Sequence, residues 1–285
     1  MTARTVRLLI SCPDRKGIIA AVAGFVSRHG GNILEADQHS DPQHSEFFMR
    51  LEIALDGFEL DRSSFPPAWA PVAAEHGMRW RAYWGDEIKH MAVLVTRESH
   101  CLNDLLWRWK TGELRVEIPF VAGNHAELSE HVTAFGIPFH YLPITAGDKT
   151  TQEARLLELL RAARVDFLVL ARYMRMLSPA CVEAYPEGII NIHHSFLPAF
   201  AGPKPYHQAY ERGVKLIGAT SHYVTNVLDE GPIIAQATLP IDHRDTIDDL
   251  VRKGRDLERV VLATAVRQHV EDKILVSQNR TIVFD

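Results

Sequence analysis

The sequence predicts two α/β domains in tandem: a small ferredoxin-like βαββαβ unit over residues 1–84, then a doubly wound, mostly parallel sheet over 91–285. Three observations predict this. Apolar runs of strand length alternate with amphipathic helical stretches along the whole chain. The polar Gly85-Asp86-Glu87 interrupts that alternation and marks a linker at 85–90. A length of 285 residues, 46% hydrophobic and 24% charged, suits two globular domains.

In the first domain Val6–Ser11 predicts a strand, Pro13-Asp14 a turn and helix N-cap, and Ile18, Ile19, Val22, Phe25 and Val26 a helical stripe ended at Gly30-Gly31. Asn32–His39 and Phe47–Ala54 read as strands joined across Asp41-Pro42. A Pro-interrupted helix near Ala68–His76 and a closing strand at Met78–Tyr83 complete the split βαβ order. In the second domain Met91–Val95 is a buried strand, followed by the loop Thr96–His100 and a helix through Leu102–Trp109. Strand and helix then alternate: Val116–Val121, Ala126–Phe135 stopped by Gly136, Pro138–Tyr141, Thr151–Ala163, Phe167–Leu170. Such alternation indicates a parallel sheet with helices on both faces. Ile233–Leu239 gives a late strand. A long amphipathic helix runs from about Thr246 to Asp272, and Ile274–Val276 with Thr281–Phe284 form a closing hairpin.

The chemistry concentrates in Gly188–Gln236. Gly188–His193 predicts a short buried strand on which Asn191 and His193, two apart, share a face. A Pro-, Gly- and aromatic-rich loop (Phe196–Pro205), a short helix (Tyr206–Arg212) capped by Gly213 and a strand (Leu216–Val224) follow. Thr220 and His222 lie on one side of that strand, and the turn-rich Asn226–Pro232 carries Asp229. An amide can donate to a developing oxyanion, an imidazole can relay a proton near neutral pH, and a carboxylate can hold the imidazole or take a proton from water. Without a well-placed Ser or Cys, this set points to direct attack by a bound nucleophile on a carbonyl. His193, His222 and Asp229 also fit a metal ligand set, the weaker of the two readings.

N-I-H-H-S-F-L-P at 191–198, G-A-T-S-H at 218–222 and L-D-E-G-P-I-I at 228–234 resemble the formyltetrahydrofolate-dependent formyltransferase family. P-Y-H-Q-A-Y-E-R-G-V-K at 205–215, S-H-C-L-N-D-L-L at 99–106 and D-L-V-R-K-G-R-D at 249–256 resemble its deformylase branch, which passes the formyl group to water. The resemblance implies a formyltransferase fold with Asn191, His193 and Asp229 as catalytic trio. It implies no metal and no cofactor beyond 10-formyltetrahydrofolate, which is the substrate. A-R-Y-M-R-M-L-S at 171–178 resembles the family's folate loop, so Met174, Arg175, Met176 and Leu177, with Thr225 and Asn226, are expected to bind folate. His100, His222 and Gly202 are expected to shape the pocket. In the mechanism so implied, Asp229 orients the water and takes its proton while Asn191 and His193 stabilise the oxyanion. The product formate would feed one-carbon metabolism and purine synthesis.

At the N-terminus, C-P-D-R-K-G-I-I at 12–19 and H-G-G-N-I at 29–33 resemble an ACT domain, a module that commonly binds small amino acids at a dimer interface. This implies a homo-oligomer and an effector such as glycine or methionine near Asp14, Gly17 and Asn32. A purely oligomerising domain is the alternative.

Composition excludes other classes. The net charge of −5, without a Lys/Arg block, gives no electrostatic support to a nucleic-acid or anionic-membrane partner. Three scattered cysteines, Cys12, Cys101 and Cys181, argue against a disulfide framework and fit a reducing cytoplasm. Leu8–Ile10 is too short for a signal peptide, and no run approaches the roughly 20 apolar residues that span a bilayer. The loop T-R-E-S-H-C-L after the first strand of the second domain has no glycine. It is therefore a poor phosphate cradle, which disfavours a phosphorylated acceptor and favours water. The alternative is transfer to an amine without phosphate.

Overall fold

A computed structural model describes residues 4–143, 149–199 and 205–284. The chain forms two compact units, residues 1–88 with 271–277 and 282–285, and residues 89–270 with 278–281.

The first unit is a four-stranded antiparallel sheet, β1 (Thr5–Pro13), β2 (Asn32–Asp41), β3 (Glu46–Ala54) and β4 (Arg79–Trp84), in the order β2-β3-β1-β4. Helices α1 (Ile18–Arg28) and α2 (Phe65–His76) supply the other half of its core. The core is aromatic: Trp69 meets Phe25 edge-on at 4.9 Å between ring centroids, and Phe65 meets Trp80 at 5.9 Å. Two local expectations are corrected. Helix α1 is entered through Gly17 at φ 97, not capped at Asp14, because β1 runs on through Pro13 and the chain must then turn in a left-handed conformation. Helix α2 is continuous through Pro71; Pro66 and Pro67 open it where N–H groups have no helical partner anyway.

The second unit opens with β5 (Lys89–Val95), α3 (His100–Lys110), β6 (Val116–Glu117) and β7 (Val121–Gly123). It continues with α4 (Ser129–Thr133), β8 (Phe139–Tyr141), α5 (Lys149–Ala162), β9 (Phe167–Leu170), α6 (Pro179–Ala184) and β10 (Ile189–His193). Then come α7 (Pro205–Arg212), β11 (Leu216–Tyr223), β12 (Ile233–Pro240) and α8 (Ile247–Val270). The sheet order is β12-β11-β10-β9-β5-β7-β8, with β6 paired to β5. Pairs from β10 to β8 are parallel, while β10–β11 and β11–β12 are antiparallel. Chain order reverses between β5 and β9, which puts the ligand crevice of an open α/β sheet at their carboxyl ends.

The single strand expected over 116–121 is divided into β6 and β7 because Pro119 has no N–H to give a ladder. The helix expected over 126–135 shrinks to α4. Helix α6 was not expected at all, although Ser178 accepts from the Cys181 N–H and Pro179 occupies the first turn. The expected linker 85–90 is shorter, since β5 already begins at Lys89. The chain end, expected to belong wholly to the second domain, falls mainly in the first unit. There Asp272 pairs with Arg7 at 2.9 Å, and its carbonyl accepts from buried Arg50 at 3.1 Å. It ends in β13 (Ile274–Ser277) and β14 (Arg280–Val283).

Candidate active site

Strand β10 places Asn191 and His193 on one face, and the antiparallel register sets Asn191 directly opposite His222. Opposite residues of an antiparallel pair project to the same side, so the two side chains meet, Asn191 Nδ2 lying 3.2 Å from His222 Nε2. A register shift between Ser221 and His222 breaks the β11–β12 ladder at this point, as bulges beside active sites do. Asp229 closes the group from the loop between β11 and β12. One carboxylate oxygen is 3.3 Å from His193 Nδ1 and the other 3.7 Å from His222 Nε2.

The hydrogens of this group follow from its partners. His222 Nδ1 is 2.9 Å from the Tyr223 carbonyl, which can only accept, so Nδ1 carries the proton. In the neutral ring Nε2 is then an acceptor and must receive an N–H of Asn191. That spends one of the two donors expected to serve an oxyanion and leaves one. The bond from His193, working against burial, holds the Asp229 carboxyl well below the usual carboxylate range. His193 Nδ1 faces this carboxylate, and His193 Nε2 is buried with no protein partner among the described residues.

Asp229 is held by its loop. It adopts φ 56, a left-handed conformation Asp tolerates better than most residues. Gly231 passes so close to the Tyr223 backbone carbonyl that a Cβ there would collide with it. The preceding loop is tied by Thr220, whose hydroxyl donates to the Ser195 carbonyl at 2.8 Å and accepts from the Leu197 N–H at 3.0 Å.

These groups line a cleft of ≈ 550 Å³, within the size range of small-ligand sites. All six residues expected to bind folate, Met174, Arg175, Met176, Leu177, Thr225 and Asn226, line it as well. Met174 and Met176 are 54% and 55% exposed at the rim, whereas His193 and His222 are 6% and 2% exposed at the buried end. Gly202 lies outside the described residues. His100 is not in the cleft: its Nε2 donates to buried Glu258 at 2.8 Å, because α8 packs against the start of α3. Asp14, Gly17 and Asn32 are exposed on the first unit, at the turn before α1 and the start of β2.

Arg172 and His194 are among the lining residues that were not expected there. His194 adjoins the trio in sequence, and its ring lies 5.3 Å from that of His193. Burial, then the charge of Arg172, lowers its pKa to about 3. A folded pKa below the unfolded value near 6.5 means that the unfolded chain binds more protons between those limits. Stability is therefore complete above about pH 6.5 and falls as pH drops toward the folded pKa, by at most about 1.4 kcal/mol per pH unit from this residue. His194→Asn should flatten the fall in melting temperature between pH 7 and 5. An unchanged slope would show that His194 titrates normally.

Among the described residues one group of metal-ligating type is clustered, His100, Cys101 and Glu258, with ligand atoms within 4.8 Å of one another. Glu258 already accepts from both His100 and Tyr206, and burial raises the Cys101 thiol far above its ordinary pKa. This is a satisfied internal network, not a donor set awaiting an ion.

The formyl transferase family pattern matches residues 89–266 and the ACT domain pattern residues 6–63. The formyltetrahydrofolate deformylase of Synechocystis sp. is 51% identical over 280 residues, 98% of either chain. That of Bacillus subtilis is 51% identical over 280 residues, 98% of this chain and 93% of its own. The chain belongs to the formyltetrahydrofolate deformylase family. A crystal structure of a formyltetrahydrofolate deformylase from Pseudomonas syringae pv. tomato superposes with a TM-score of 0.98 at 48% identity, covering 100% of this chain and 96% of that one. The deformylase architecture, an ACT domain before a formyltransferase fold, thus covers the whole chain. No helix among the described residues is long and apolar enough to cross a membrane.

Proposed function

We propose that this deformylase hydrolyses 10-formyltetrahydrofolate to formate and tetrahydrofolate, with Asn191, His193 and Asp229 as catalytic residues. The observation that carries the reading is the chain Asn191–His222–Asp229–His193 at the buried end of the cleft, with His193 Nε2 left unpartnered. Nearby hydroxyls are committed elsewhere: Ser195 Oγ donates to the Ala199 carbonyl at 2.8 Å and Ser221 Oγ to the Asn191 carbonyl at 2.9 Å. Direct attack by water needs neither.

The pterin lies against Met174, Met176 and Leu177, with the formyl group at the buried end. Asp229, held ionised, is a weaker base than an imidazole, so its part is to fix the tautomer of His193 instead of taking the proton itself. Water attacks the formyl carbon and gives a proton to His193 Nε2. The carbonyl electron pair moves onto oxygen, which the free N–H of Asn191 stabilises. On collapse the C–N bond breaks, the nitrogen takes the electron pair with the proton from His193, and formic acid ionises to formate. The substrate carries the reacting group, so no cofactor enters. Formate then supplies one-carbon metabolism and purine synthesis.

Water as acceptor is further supported at the start of α3. Glu98 lies 3.7 Å from His100 Nδ1 and 2.7 Å from Arg255, a carboxylate where a phosphorylated acceptor would need a cradle of N–H groups. Incubating the purified chain with 10-formyltetrahydrofolate alone should release formate. Consumption of the substrate only once an amine is added, with a formamide and no formate as product, would make it a transferase.

The ACT domain is further proposed to bind an amino acid such as glycine or methionine near Asp14, Gly17 and Asn32 in a homo-oligomer. Titration of either should raise the melting temperature of the full chain. An unmoved transition with both would reduce the domain to assembly alone.

A further inference from the structure

Arg172 leaves β9 at φ 62, a left-handed conformation that costs an L side chain about 1–2 kcal/mol unless its surroundings hold it. The hold comes from Glu258 on α8, which is 0% exposed. Tyr206 donates to one of its oxygens at 2.6 Å and His100 to the other at 2.8 Å, with Arg172 Nε 3.4 Å from that second oxygen. The last pair is an ion pair off the hydrogen-bond line, since Arg172 Nε has no hydrogen-bond partner. Burial works to raise the Glu258 carboxyl, but the bond from His100, the charge of Arg172 and the bond from Tyr206 outweigh it. Tyr206 can come this close only because Gly254 of α8 has no Cβ to meet its ring.

Arg172 also lines the cleft. Its side chain is only 14% exposed, so it belongs to the buried end with His193, His194 and Asp229, whereas Arg175, the other cation lining the cleft, is exposed at the rim. Among the described residues its terminal nitrogens have no acceptor. A guanidinium fork of this kind takes a carboxylate through two parallel N–H bonds.

We propose that Arg172, positioned by Glu258, is the anion-binding residue of the cleft and receives the carboxylate of formate as it forms beside Asp229. The proposal rests on the hydrolytic reading above. Its physical ground is charge: hydrolysis creates an anion next to the ionised carboxylate of Asp229, and like charges in a low-dielectric pocket repel unless a cation sits between them. Transfer to an amine yields an uncharged formamide, for which a cation at this depth would have no use. The folate's glutamyl carboxylates are the other carboxylates in the system. They would reach Arg172 only if substrate bound tail-inward.

The test uses the full chain as wild type, Arg172→Gln, Arg172→Lys and Glu258→Gln. Formate should inhibit the wild type. The inhibition constant should rise at least tenfold in Arg172→Gln, partly recover in Arg172→Lys and rise also in Glu258→Gln, with the KM for 10-formyltetrahydrofolate within about twofold throughout. Equal inhibition of Arg172→Gln and wild type overturns the proposal. So does a KM increase in Arg172→Gln that vanishes with 10-formyltetrahydropteroate, which lacks the glutamate. Should the Gln variants fail to fold, titration of 13C-formate into the wild type decides: saturable binding, weakened in Arg172→Lys, supports the subsite, and its absence sinks it. Turnover without formate binding removes the subsite alone, whereas formate binding without turnover removes the hydrolytic reading and leaves the subsite.

Discussion

Replacing Asp229 by Asn lowers turnover of 10-formyltetrahydrofolate by about 1,000-fold or more, while the KM for the folate stays within a few-fold. The size follows from what the substitution removes. General acid–base assistance is worth about 100- to 10,000-fold, and in the proposed mechanism Asp229 serves it by accepting from His193 Nδ1 at 3.3 Å. An amide of the same shape carries no charge and is a weaker acceptor, so His193 loses the partner that keeps its Nε2 free for the water proton. Residues 174–177, proposed to face the folate, are untouched. Steady-state kinetics check this, and turnover within tenfold of the wild type would remove Asp229 from the chemistry.

Gly231→Ala is expected to do comparable damage from two residues away. A Cβ at 231 would collide with the Tyr223 carbonyl, and that backbone is pinned by the Tyr223 N–H donating to the Pro232 carbonyl at 2.9 Å. Neither side can yield without moving the loop that carries Asp229. Overpacking of this kind costs on the order of 1–3 kcal/mol, and a catalytic group displaced by about 1 Å can lose about 100-fold in rate. Gly112→Ala is the control: Gly112 has φ 80 with nothing within 4 Å of its would-be Cβ, so only the backbone preference is lost, about 1 kcal/mol. If the two variants match in urea midpoint and in kcat, the close approach at Gly231 is not holding the site.

The trio was legible because its signals are local. Asn191 and His193 share a face by strand alternation, and Asp229 sits in a turn whose Gly-Pro marks it as a loop. What was not legible depends on pairing between distant segments. His222 was expected to shape the pocket, yet its place between Asn191 and Asp229 follows from the β10–β11 register, which sequence does not set out. Glu258 lies on a helix whose pattern reads as ordinary packing; only the approach of α8 to α3 and α7 joins it to His100 and Tyr206, and through Arg172 to the cleft. The same approach explains why His100, expected in the pocket, turns away from it. The antiparallel end of the sheet could have been read from length: β11 ends at Tyr223 and β12 starts at Ile233, too short a span for a parallel crossover. Helix α6 likewise announces itself through Ser178-Pro179, a start signal overlooked beside the folate loop.

The central claim is that solvent carries off the formyl group from a site built of Asn191, His193 and Asp229. Its most direct test is the mass of the formate released from 10-formyltetrahydrofolate in water enriched in oxygen-18, with no amine present. One heavy oxygen atom per formate, lost together with turnover in Asp229→Asn, is the predicted result. Formate without the heavy atom, or no formate and a formamide once an amine is added, would contradict the account.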